Sequence, residues 1–256
     1  MLKDLPAIGA KRVHRNGLDS PRAVSSILAS PMQPYELLDS FTTPDGSEMT
    51  LCQQGTDLFV NFDGRELMST RTHRTECTLA RVACRELEKN PAPRILIGGL
   101  GLGYTLRATL DALPPEARIV VAEVYEPIVA WNRAHADRLG ETLEDPRAEI
   151  RLADVYDALG EKKGFDAILL DVDNGPIAET LESNARLYAR SGLRRIRAAL
   201  KYDGLLAVWS AHPDDEFMGR MKAAGFNEVR AEVARTGKGR GRGRGARHVI
   251  FLGRAD

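Results

Sequence analysis

The chain has 256 residues, 43% of them hydrophobic, enough for one good-sized domain with a small appendage. Thirty-six Lys and Arg balance 36 Asp and Glu, so no global field draws the chain to nucleic acid or to a membrane. No apolar run approaches the roughly 20 residues of a membrane span, and "MLKDLPAIGAKRVHRNG" has no apolar h-region, so a cytoplasmic protein without a signal peptide is expected.

Residues 1–33 mix Pro, Ser, Gly and basic residues without periodicity and read as a loose arm. From Tyr35 the texture changes. "YELLDSFTT-PDG-SEMTLCQQ" and "TDLFVNF-DG-RELMST" are two strand pairs, the second around Asp63-Gly64, a strong hairpin signal. A small antiparallel β-hairpin module is therefore expected over 34–70.

The third segment, 71–256, opens with a linking helix in "RTHRTECTLARVACRELEKN", where Cys77, Leu79, Ala80, Ala83, Cys84 and Leu87 recur at helical spacing. Cys52, Cys77 and Cys84 show no CxxC spacing and read as small core residues. Beyond Arg94, strands are expected at 94–98, 118–123, 148–152, 165–171 and 204–210, with helices near 103–112, 126–139, 184–201 and 214–223. "FDAILLD" and "GLLAVWS" carry continuous apolar runs, the mark of parallel strands buried on both faces. "FNEVRAEVA" and "HVIFLGR" close the chain as an antiparallel pair. The fold class is α/β, a Rossmann-like doubly wound sheet carrying the N-terminal β module. Between the last strands, the Arg-Gly loop 235–247 reads as solvated, and nucleic acid is not expected as a partner.

Gly98, Gly99, Gly101 and Gly103 stand where the first strand of this domain becomes a helix, letting backbone approach a ligand at a helix N-terminus. Glu123 ends the second strand, about 20 residues on, where nucleotide-binding folds hold ribose hydroxyls. Asp154 follows the third strand and is placed either to meet an adenine ring or to cap the next helix. No Lys follows the glycines, so an adenosine-bearing ligand without a triphosphate fits better than a P-loop nucleotide. The fourth strand ends in Asp171, Asp173 and Asn174, and clustered acids there can position and deprotonate an amine. His14, His73, His135, His212 and His248 lack mutual metal spacing, so no metal is expected. "SAHPDDEF" reads as a helix start, and Trp209 as core.

Taken in order, "ILIGGLGLG", "VVAEVYEP", "DPRAEIRLADVYDAL", "FDAILLDVDNGP" and "LYARSGLRRIRAALKYDGLLAVWSA" resemble the spermidine/spermine synthases, the polyamine aminopropyltransferases, from about Tyr35 onward. The resemblance implies the class I methyltransferase fold and an aminopropyl transfer from decarboxylated S-adenosylmethionine to a small-molecule amine. That donor is a co-substrate, so no tightly bound cofactor is implied. It implies that Glu123 holds the ribose, Asp154 the adenine amino group, and Asp171 the proton of the attacking amine. Glu76 falls near the family's His-Glu pair, as an amine contact. Family members often associate, which leaves a homodimer through the β module open. Two positions depart from the pattern. Gly101 replaces the glycine-loop aspartate that faces the donor's amino group, and Asn174 replaces a second amine-holding acid unless Asp173 takes over. Those departures keep an S-adenosylmethionine-dependent methyltransferase on the same fold as the alternative.

Overall fold

The computed structural model describes residues 34–160, 164–172, 175–176, 182–235 and 247–256. Asp173, Asn174, the arm 1–33 and most of the Arg-Gly loop lie outside the described residues.

The first four strands, β1 (Glu36–Thr42), β2 (Glu48–Gln54), β3 (Asp57–Phe62) and β4 (Arg65–Ser69), form an antiparallel sheet in chain order. Asp63 and Gly64, at φ 46° and 74°, make the tight turn between β3 and β4. Asp63 Oδ1 also accepts from the Glu48 N–H at 2.8 Å. Helix α1 (Arg74–Arg85) follows, shorter than its apolar pattern, because Glu86–Lys89 relax into turns before Pro91.

The second sheet has the order β10-β11-β9-β8-β5-β6-β7. Its parallel part comprises β5 (Arg94–Gly98), β6 (Arg118–Glu123), β7 (Ala148–Leu152), β8 (Phe165–Leu170) and β9 (Leu200–Ser210). Strand β11 (Arg247–Arg254) pairs antiparallel with β9 and with β10 (Asn227–Arg235). Ile95 and Ile97 pack into one hydrophobic cluster and Leu96 into another, so both faces are covered and the strands have no polar side.

Helices α2 (Tyr104–Ala112) and α5 (Val155–Ala158) begin where β5 and β7 end. Two expected helices are each divided. The one near 126–139 becomes α3 (Glu126–Ala134) and α4 (Ala136–Leu139), parted at His135, whose φ of −116° leaves the helical region. The one near 184–201 becomes α6 (Glu182–Tyr188) and α7 (Arg190–Ala199), parted by an extended Ala189. Gly192 makes this corner possible, since a Cβ there would lie 2.2 Å from the Arg186 carbonyl. Helix α8 (Asp215–Ala223) starts with Asp214 accepting from Phe217 N–H at 2.8 Å.

The two sheets are tied together beside α3. Trp131 of α3 donates its indole N–H to Asp39 of β1 at 2.7 Å, and Phe41 packs between the Tyr125 and Trp131 rings. Consecutive strands β5, β6 and β7 run outward on one side, and β8 begins on the other. The topological switch therefore lies between β5 and β8, and the crevice opens at their C-terminal ends.

Candidate active site

Two adjoining cavities occupy that crevice. The larger, about 820 Å³ counting space open to solvent, is floored by Gly99 and Gly101 and walled by Glu123, Asp154, Asp171 and apolar residues. The smaller, about 580 Å³ on the same basis, holds Glu76, Tyr104, Asp171 and Trp209. Met68, Gly101 and Asp171 face both. Strand β4 thus reaches over the glycine loop and supplies a wall that no β5–β9 residue provides.

The glycine loop turns three times through positive φ, at Gly99, Gly101 and Gly103. At Gly99 the requirement is close approach, because a Cβ would lie 2.4 Å from the Asp171 carbonyl oxygen. At Gly101 a Cβ would meet Met68 Sδ at 3.1 Å, so a thioether from the other sheet lies over this turn. Gly98 packs on Val155, and Gly103 caps α2 beside Asn132; neither lines these two cavities.

Glu123 is buried and accepts three backbone N–H groups, from Leu100 at 3.0 Å, Val124 at 2.8 Å and Tyr125 at 2.9 Å. Burial raises its pKa while these bonds oppose the rise. Glu123 also borders the larger cavity, where a ligand hydroxyl can reach its carboxylate. Asp154 is the cap that the sequence offered as one of two roles. Its Oδ1 caps α5 through Tyr156 N–H at 2.7 Å, its Oδ2 pairs with Arg186 at 2.7 Å, and it still borders the larger cavity.

Asp171 directly follows β8, between the cavities, and takes a 2.5 Å hydrogen bond from the Thr105 hydroxyl. Burial first, then the Glu76 carboxylate, raise its pKa from 3.8 to about 7, against the Thr105 bond. Glu76 is likewise raised by burial, countered by hydrogen bonds including Thr75 Oγ1 at 2.9 Å and by the charge of His73. His73 lies flat on Tyr104 at 3.9 Å. Thr105, Tyr104 and Met68 escaped the sequence reading; the one available signal was the polar Thr105 and Thr109 on the buried face of α2. Trp209, read as core, is half-buried and presents its ring to the smaller cavity. Among the described residues no cluster of three His, Cys, Asp or Glu could hold a metal, and no helix is long and apolar enough to cross a membrane.

A mostly parallel open sheet with a glycine loop after its first strand and acids at the C-terminal ends of its strands is a class I methyltransferase-like fold. Comparison with known proteins narrows this. No family model matches the chain. Over 126 residues it is 29% identical to the polyamine aminopropyltransferase of a Thermoanaerobacter species, covering 49% of this chain and 43% of that one. The chain thus spans less than half the length of that curated relative. The spermidine synthase of Thermotoga maritima superposes with a TM-score of 0.67 at 21% identity, over 86% of this chain and 73% of that chain. A spermidine synthase in complex with the transition state analogue AdoDATO gives 0.66 at 20% identity, over 86% and 72%. The resemblance to the spermidine synthases holds in sequence and in fold, at low identity.

Proposed function

We propose that the chain is a spermidine synthase-like aminopropyltransferase. The observation that carries this reading is Asp171, which faces both cavities at once, so a nucleophile in the smaller can reach an electrophile in the larger. The larger cavity suits an adenosyl sulfonium, with Glu123 on the ribose hydroxyls, Asp154 towards the adenine and the bare backbone of Gly99 and Gly101 beneath. Glu76 and Asp171 draw a cationic amine into the smaller one. Decarboxylated S-adenosylmethionine is the donor, and an amine is the acceptor. Free cysteines at 52, 77 and 84 suit the cytoplasm.

The chemistry is one displacement. The amine loses a proton to Asp171, its nitrogen lone pair attacks the methylene beside the sulfonium, and the C–S bond breaks to release methylthioadenosine. An alkylammonium titrates near 10.4, so transfer to an ordinary carboxylate costs about 9 kcal/mol, and transfer to Asp171 at about 7 roughly halves that. Proximity in adjoining cavities supplies the remainder, with no covalent intermediate.

The test incubates the protein with decarboxylated or intact S-adenosylmethionine and a panel of amines, then identifies the nucleoside. Methylthioadenosine with an aminopropylated amine is expected. S-adenosylhomocysteine would establish methyl transfer instead, a reading that Gly101, with no acid facing the donor, keeps alive.

A further inference from the structure

Beyond Glu76, a hydrogen-bonded chain leads away from the cavity. Thr75, 1% exposed, gives its hydroxyl to Glu76 Oε2 at 2.9 Å, and the same Oγ1 lies 3.1 Å from His248 Nδ1. Thr75 and Glu76 share the first turn of α1, whereas His248 arrives on β11. Trp209, a wall of the smaller cavity, sets its ring edge-on to the imidazole at 4.8 Å and 81°. A hydroxyl held between a carboxylate and an imidazole can donate to either, since it has one proton and two lone pairs.

We propose that Thr75 and His248 form a proton relay that drains the Asp171–Glu76 pair during turnover. This rests on the aminopropyl-transfer reading, because that reaction leaves one proton in the site per cycle. In the outward step, the proton that Asp171 took from the amine crosses the smaller cavity, which both carboxylates line, to Glu76; Glu76 passes it to the Thr75 oxygen while the hydroxyl proton moves to His248 Nδ1. The carboxylate is restored and an imidazolium forms. The imidazolium then loses a proton to bulk water, and exchange with water resets hydroxyl and tautomer.

The surroundings suit these roles. Around Glu76 the titratable neighbours are His73, Cys77, Tyr104 and Asp171, and burial raises its pKa, which favours the protonated form. Around His248, α1 presents Thr75, β9 presents Trp209, the segment after β9 presents His212, and the register partner on β10 is Ala234. Burial, then the charge of His212, lowers the His248 pKa, so the imidazole is neutral at pH 7 and able to accept. Half-buried, it meets water as well as the threonine.

The decisive experiment has two arms on the full chain. NMR titration of the His248 imidazole is expected to show an inflection shared with Glu76 in the wild type. That inflection should vanish in Glu76→Gln and Thr75→Val and return in Thr75→Ser. Identical titrations in wild type and Thr75→Val would overturn the relay whether or not the protein is active. In the kinetic arm, His248→Gln should lower kcat about tenfold with the amine KM kept, and added imidazole buffer should restore the rate. A loss that imidazole leaves untouched would make the Thr75–His248 bond merely structural and refute the relay. A wild type that releases no methylthioadenosine would refute the transfer reading, and the titration arm would still decide the proton path.

Discussion

Asp171→Asn should make the folded protein more stable at alkaline pH while abolishing transfer. In the unfolded chain Asp171 ionises near the ordinary 3.8, and in the folded chain near 7. Below pH 4 both states are protonated and the group costs nothing. Between those values folding takes up a proton, so stability falls by about 1.4 kcal/mol per pH unit, and above pH 7 the full cost is present. The interval of about 3 pH units corresponds to at most about 4 kcal/mol. Asp171 is only half-buried, and an asparagine amide also needs partners, so about 2 kcal/mol is the expected gain. Thr105 can still donate to the Asn oxygen, which keeps the local geometry. Urea unfolding of both proteins at pH 4 and pH 8.5 measures the effect. The variant should exceed the wild type only at the higher pH; a difference that is flat with pH, or of opposite sign at pH 8.5, would refute the burial and Glu76 argument.

Two further outcomes are expected. Glu123→Gln leaves the N–H groups of Leu100, Val124 and Tyr125 competing for one acceptor oxygen and sets an NH2 among donors, so methylthioadenosine affinity by calorimetry should drop at least about tenfold; unchanged affinity would remove Glu123 from the ribose site. Trp131→Phe deletes the 2.7 Å bond to Asp39 that ties β1 to α3 and should cost about 1–2 kcal/mol in denaturant unfolding, with Asp39→Asn adding little on top of it.

Much of the framework was legible because it is written in neighbouring residues. The Asp63-Gly64 turn, the uninterrupted apolar strands such as Ile95–Ile97, and the Asp214 cap each act over a few positions, and so each left a readable pattern. The breaks at His135 and Ala189 did not, because the apolar periodicity runs through both. What parts α6 from α7 is the packing of Gly192 on Arg186 and Leu187. In the site, the placement of Glu123 and Asp171 at strand ends followed from the strands themselves.

Strand and helix periods and motif order are properties of the chain taken in line, and they carried the strands, most of the helices, the acids near the strand ends and the resemblance to the spermidine synthases. Folding in three dimensions was needed to set Asp171 between two cavities, Met68 of the small sheet over Gly101, and His248 within reach of Glu76 through Thr75. The reason is physical: burial and the field of a neighbouring carboxylate act through space, so the charge state of Asp171 depends on Glu76 of a distant helix and on the water both exclude.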